Sequence, residues 1–206
     1  MPTQAERAEW VSAPVVLTDS ELLIGSRQVM QSWERPIMER MAAAVACGDM
    51  LEVGFGMGIS ANAIMRHGCK SYTVIEAHPA IAANARCWGE RQSVPVTVVE
   101  GFWQDIAPLV ADRFDGILYD TFPVGDDYTD HGPAFVAMAR LLRPGGRFTY
   151  YTGQPESVLV NDLKTLLNEF DSVEISRTKN LTPHNGCDYF HGQQMVVVVA
   201  TKGTAS

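Results

Sequence analysis

The sequence predicts an α/β fold: a doubly wound, mostly parallel sheet with helices on both of its faces. Three observations predict it. Apolar, β-branched runs alternate five times with segments of helical period. The first clear run, Met50-Leu51-Glu52-Val53, opens into glycines at 54, 56 and 58 and then into a small-residue helix, a junction where ligands approach backbone N–H groups. The length of 206 residues, 46% of them hydrophobic, supports one sizeable core and is short for two domains. We assign residues 1–28 to an N-terminal segment and 29–206 to the domain.

Taken in order, residues 1–27 show little periodicity, and Ser20-Glu21-Leu22-Leu23-Ile24 reads as a short amphipathic turn or strand. Residues 29–46 read as a helix, because Met30, Trp33, Ile37, Met38, Met41 and Val45 recur at three and four positions; Pro36 marks its first turn. Glu34 falls at or just before that start, where the helix dipole favours a carboxylate, and a solvated cap fits the position equally. The turn after Val53 reads Glu-x-Gly-x-Gly-x-Gly, whereas a dinucleotide fingerprint carries its third glycine where Ile59 stands. That shift favours S-adenosylmethionine, whose only anionic group is a carboxylate, over a pyrophosphate. A tight turn with no ligand has the same glycines.

Residues 60–67 form a helix stopped by Gly68, and Ser71-Tyr72-Thr73-Val74-Ile75 is a second strand ending at Glu76. An acid at the tip of that strand, about 20 positions past the glycines, accepts hydrogen bonds from ribose hydroxyls; the alternative is a helix-capping acid before Pro79. A helix over 79–91 and a third strand over 95–99 lead to the loop at 100–105. There Trp103 either stacks on an adenine or simply packs, and Gln104 or Asp105 reaches the base edge. The fourth strand, within Phe114-Asp115-Gly116-Ile117-Leu118-Tyr119, delivers Tyr119, Asp120 and Thr121 to the carboxyl edge beside the topological switch point. A helix over 135–142 is closed by Arg143-Pro144-Gly145-Gly146, the fifth strand covers 147–151, and 158–170 is helical. Residues 173–175 and 195–200 form a closing strand pair, which completes seven strands.

A net charge of −8 with no Lys/Arg run argues against a nucleic-acid partner and for a cationic small substrate. Cys47, Cys69, Cys87 and Cys187 are widely spaced, which predicts buried free thiols and no metal site. The apolar runs are too short to span a bilayer, so no membrane partner is expected and a cytoplasmic enzyme fits best.

Several segments in order resemble guanidinoacetate N-methyltransferase: Val29-Met30-x-x-Trp33-Glu34-x-Pro36, Leu51-Glu52-Val53-Gly54-Phe55-Gly56-Met57, Gly101-x-Trp103, Ile117-Leu118-Tyr119-Asp120-Thr121-Phe122-Pro123, Leu142-x-Pro144-Gly145-Gly146, and Cys187-x-Tyr189 with Gln194-Met195. The likeness runs from about residue 10 to the C-terminus and extends to relatives acting on the side-chain guanidine of arginine. It implies a class I S-adenosylmethionine-dependent methyltransferase, a seven-stranded doubly wound sheet whose N-terminal segment closes as a lid, either a monomer or a homodimer. It further implies that Glu34 and Asp120 flank the acceptor's guanidine, with Asp120 as base, and that Trp33, Thr152 and Gly153 join them on the substrate. Glu52, Gly54, Gly56, Met57, Glu76, Ala77, Trp103, Gln104, Tyr119 and Trp10 are implied on the cofactor side. Trp33, Trp103 and Tyr119 offer aromatic faces to cationic groups.

The sequence departs from that family after the fifth strand. An Asn-Leu-Thr-Ser stretch there holds the carboxylate of guanidinoacetate; this chain has Thr152-Gly153-Gln154-Pro155, and Pro155 lacks an N–H. The loop Thr182-Pro183-His184-Asn185-Gly186 also differs in character. The expected acceptor is therefore an arginine-derived or larger guanidino compound. Arginine within a protein or peptide, and a binding protein without catalysis, are the alternatives. His131, His184 and His191 are assigned to loops or surface.

Overall fold

The computed structural model describes residues 2–125, 131–153 and 156–204. Helix α1 (Gln4–Ser12) starts with a capping box in which Thr3 and Glu6 bond each other's backbone N–H. A three-stranded antiparallel sheet follows, formed by β1 (Val15–Leu17), β2 (Glu21–Ile24) and β3 (Arg27–Gln31). The helical pattern expected over 29–46 is helix from Arg35 on, with Pro36 in the first turn as expected, and is corrected at 29–34. Val29 and Met30 lie in β3, with Met30 opposite Leu22, and Ser32–Glu34 form one 3₁₀ turn before α2 (Arg35–Val45). The helix cannot extend back through Pro36, whose ring would clash with the carbonyl of Ser32, while β2 offers a ladder instead. The apolar residues at helical spacing enter one core even though only some are helical.

The large sheet contains β4 (Asp49–Val53), β5 (Ser71–Glu76), β6 (Val96–Glu100), β7 (Phe114–Tyr119), β8 (Leu142–Tyr150), β9 (Ser172–Lys179) and β10 (Gln194–Thr201). Their order is β6-β5-β4-β7-β8-β10-β9. Strands β4 to β8 are parallel, and β10 runs antiparallel to β8 and β9. The remaining helices are α3 (Ile59–His67), α4 (Pro79–Gly89), α5 (Trp103–Ile106), α6 (Gly132–Leu141) and α7 (Glu156–Glu169). Strand alternation sorts the core into two layers. Met50, Tyr72, Val74 and Leu118 meet Met38, Met41, Ile64 and Ile81 in one of them. Leu51, Val53, Ile117 and Phe148 meet Phe135, Met138 and Leu166 in the other.

Three further expectations change. Strand β8 begins at Leu142, opposite Phe114, and Arg143-Pro144-Gly145-Gly146 forms an irregularity within it where the register shifts. Strand β9 is eight residues long, and as a largely exposed edge strand it lacks the apolar alternation that marks a strand in sequence. Among the cysteines only Cys187 is buried, and Cys87 is exposed. No helix of the described residues is long and apolar enough to cross a membrane.

The chain builds β4, β5 and β6 outward and then returns to place β7 on the other side of β4, so the switch point lies between β4 and β7. Ladder bonding continues past the strand ends: Gly54 N–H donates to Ile75 O at 2.8 Å, Asp120 N–H to Val53 O at 2.9 Å and Tyr151 N–H to Tyr119 O at 2.9 Å. These bonds hold the turns that carry the candidate residues level with one another.

Candidate active site

A cavity of about 470 Å³ lies at this carboxyl edge. One end is built from Gly54 and Gly56 after β4, Glu76 and Ala77 at the tip of β5, and Phe102, Trp103 and Gln104 after β6. A Cβ at Gly56, where φ is +52°, would come within 2.9 Å of Met30 Sδ, so the turn admits no side chain there without movement. Glu76 is buried, and its oxygens accept from the N–H groups of Phe55 and His78, each at 2.8 Å. Burial still pushes its carboxyl above the ordinary range. His78, not Glu76, occupies the N-cap of α4. Asp105 pairs with Arg7 of α1 at 2.5 Å and is largely exposed, which leaves Gln104 as the polar side chain on this wall. The Gln104 Oε1 atom is buried without a hydrogen-bond partner among the described residues. Trp103 meets Tyr119 edge-on at 5.8 Å, and Trp10 stacks on Phe122 at 5.3 Å, all four on the cavity wall.

At the other end stand Glu34 and Asp120, with Tyr151, Thr152, Gly153 and Tyr189. Glu34 is the N-cap residue of α2 and 3% exposed, so it is no solvated cap. Its Oε1 accepts from Gln31 N–H at 2.8 Å and from the Tyr189 hydroxyl at 2.6 Å, an arrangement that commits one oxygen to the protein. The Tyr151 hydroxyl approaches the same carboxyl without reaching hydrogen-bond geometry. Burial raises the Glu34 pKa. Asp120 follows β7 directly, and no described residue donates a hydrogen bond to its carboxylate. Surrounded by protein yet open to the cavity, its carboxyl is pushed well above the ordinary range, first by desolvation and then by the charges of Glu34 and Glu52. Two buried carboxyls with raised proton affinity, the charge of one adding to the shift of the other, make a site suited to a cation.

Three expected site residues lie elsewhere. Glu52 is fully buried on the α3 side of β4, where Ser60 and Tyr72 donate to its two oxygens and burial pushes it up to about 7. It braces the glycine turn from behind. Met57 turns its N–H to Met30 Sδ at 3.5 Å and is absent from the cavity wall. Trp33 gives its indole N–H to Gln31 Oε1 at 2.9 Å and stacks on Phe190 and Tyr189 behind Glu34. Gln154 and Pro155 lie outside the described residues. His131, assigned to a loop, lines the cavity and bonds buried Asp162 through Nδ1 at 3.0 Å. Tyr189 and Tyr151 were not expected beside Glu34; the Cys187-x-Tyr189 pair was the one sequence signal for the former.

Strand order and the cleft at the switch point define the fold as that of a class I S-adenosylmethionine-dependent methyltransferase. Within that class the chain belongs to the guanidinoacetate N-methyltransferase family, whose profile matches residues 3–202. It is 31% identical over 163 residues to protein arginine N-methyltransferase 2 of Kluyveromyces lactis, an alignment covering 73% of this chain and 40% of that protein. The chain thus spans about two-fifths of the length of that curated relative. Among solved structures, spermidine synthase from Thermotoga maritima superposes with a TM-score of 0.67 at 13% identity, covering 93% of this chain and 73% of that one. A methyltransferase from Pyrococcus furiosus does so with a TM-score of 0.60 at 20% identity, covering 82% and 83%. Both likenesses concern the fold.

The cofactor is S-adenosyl-L-methionine, and the residues present fit it. The Gly54–Gly56 turn leaves backbone exposed to the cavity, Glu76 at the tip of β5 would receive the ribose hydroxyls, and the Gln104 oxygen, without a partner among the described residues, is an acceptor suited to an exocyclic amine.

Proposed function

We propose that this protein transfers a methyl group from S-adenosylmethionine to a guanidino nitrogen of a small molecule, arginine-derived or larger than guanidinoacetate, in specialised metabolism in the cytoplasm. The convergence of Glu34 and Asp120 on one cavity supports this most directly. The bound cofactor supplies an electrophilic methyl group on sulfur. A guanidinium has a pKa above about 12 and no free lone pair, so the protein must hold the cation and take one of its protons. The free oxygen of Glu34 and the unpartnered carboxylate of Asp120 receive the N–H fork and compensate its desolvation. As the nitrogen–carbon bond forms and the carbon–sulfur bond breaks, the N–H proton passes to Asp120. Its raised proton affinity suits it to accept that proton. In this reading the N-terminal segment, residues 1–28, acts as the lid, since Trp10, Leu22 and Ile24 line the cavity.

A second reading, methylation of arginine in a protein or peptide, draws on the name of the Kluyveromyces lactis relative. A methyl-transfer screen tests both, with guanidinoacetate, free arginine, β-arginine, 4-guanidinobutyrate, agmatine and an arginine-rich peptide, each read by mass spectrometry. Gain of one methyl on a free guanidino compound, lost in Glu34→Gln and Asp120→Asn, supports the first reading. Gain on the peptide alone replaces it with the second. The pH dependence follows from the same acids. Guanidinium binding requires ionised carboxylates, and both pKa values are raised in the empty site, so kcat/KM rises with pH through an inflection above the ordinary carboxylate range. Acceptor binding then releases protons, which calorimetry in buffers of different ionisation enthalpy reads directly.

A further inference from the structure

Beyond Thr152 and Gly153 lies a second cavity of about 400 Å³. It shares Thr152, Gly153 and Tyr189 with the first, so these three residues form a wall common to both. Their chemistry differs. The first cavity presents Glu34, Asp120 and Glu76, whereas Arg177 of β9 is the only formally charged side chain among the described residues lining the second. In a chain of net charge −8, a cation placed at the outer end of a carboxylate-lined cavity is a specific charge pattern. Leu159, Met195 and Phe190 give the second cavity apolar walls suited to methylene groups. On the shared wall the Thr152 hydroxyl, on a residue 2% exposed, has no hydrogen-bond partner among the described residues. A buried hydroxyl left in that state is completed by a ligand or by water.

We propose that the second cavity is the subsite for the far end of the acceptor, and that the acceptor is a zwitterionic guanidino acid whose carboxylate meets Arg177. The inference rests on the guanidino-methyltransferase reading above. In guanidinoacetate a single carbon separates guanidine from carboxylate, so with its guanidine held at Glu34 and Asp120 its carboxylate stays in the first cavity. An acid with several methylenes passes Thr152 and Gly153, lays its chain against Leu159 and Met195, and brings its carboxylate to the guanidinium of Arg177. Arg177 is exposed, so the attraction is that of a partly solvated ion pair and weakens with salt.

The test compares kcat/KM for guanidinoacetate, 4-guanidinobutyrate, 6-guanidinohexanoate and agmatine, the last carrying a cation in place of the acid, in the wild type, Arg177→Ala and Arg177→Glu. The bond from Arg40 to this position uses the Arg177 carbonyl, which both substitutions keep. The wild type is expected to prefer the longer acids to guanidinoacetate and to agmatine. The ratio of long acid to agmatine should fall about fivefold in Arg177→Ala, the scale of a partly exposed ion pair, and invert in Arg177→Glu. A ratio that ignores Arg177 while guanidines are still methylated overturns the subsite and leaves the methyltransferase reading in place. Fastest turnover of guanidinoacetate also overturns it. If the wild type methylates no guanidine, including a peptide arginine, the reading itself falls and the subsite with it.

Discussion

Replacing Asp120 by asparagine is expected to cut methyl transfer about a thousandfold, within the range that a positioned proton acceptor contributes. Cofactor binding should persist, because the turn after β4, Glu76 and Gln104 are untouched. The same change should make the empty protein more stable at neutral pH. In the folded state the Asp120 carboxyl has a pKa far above its unfolded value, since burial and the charge of Glu34 disfavour its anion. Between those two pKa values the folded state binds more protons than the unfolded state, so stability falls as pH rises through that window. Asparagine does not titrate and removes the loss. Each kcal/mol recovered should raise Tm by about 2–4 °C in a domain of this size. A thermal shift at pH 7.5, paired with a cofactor titration and a turnover assay, measures all three effects. Asp120→Asn that kept more than a tenth of wild-type turnover would remove Asp120 as the proton acceptor.

The second large effect is structural. Gly54→Ala is expected to destabilise the protein by about 3–5 kcal/mol, the range reached when a substitution meets fixed backbone. Gly54 has φ +89°, and a Cβ there would lie 1.9 Å from the carbonyl oxygen of Asp120 and 3.0 Å from its carbonyl carbon. No rotamer relieves that overlap. Relief requires β4 and β7 to part at the switch point, which moves Asp120. Gly68 supplies the control: it also has positive φ, at +97°, but a Cβ there meets nothing within 4 Å. Gly68→Ala carries only the backbone strain, about 1–3 kcal/mol. Chemical denaturation of the two variants separates steric from conformational cost, and comparable losses would show that φ alone makes Gly54 a glycine.

How far the sequence led differs from element to element. The parallel strands declared themselves, because a strand buried on both faces must be a short apolar run and its tip must carry whatever polar residue meets a ligand. Glu76, Asp120 and the glycines after Val53 were therefore legible before any coordinates. Glu34 was legible through its neighbours Trp33 and Pro36, although the reason for its burial was not. Local periodicity failed at 29–34, where β2 supplied hydrogen-bond partners from outside the window and turned an apparent helix into strand and turn. It also missed the length of β9, whose exposed edge gives little pattern.

Spacing in a sequence thus determined which residues stand at the carboxyl edge of the sheet, because chain direction and strand period fix that within each βα unit. Contacts between units lay beyond it. Only the tertiary structure decided that Glu52 faces Ser60 and Tyr72 rather than the cavity, that Tyr189 crosses 155 positions to hold one oxygen of Glu34, and that Arg177 lines a second cavity sharing Thr152, Gly153 and Tyr189 with the first. The physical reason is that a side chain's polar partner is set by packing between distant segments, and no local propensity encodes that distance.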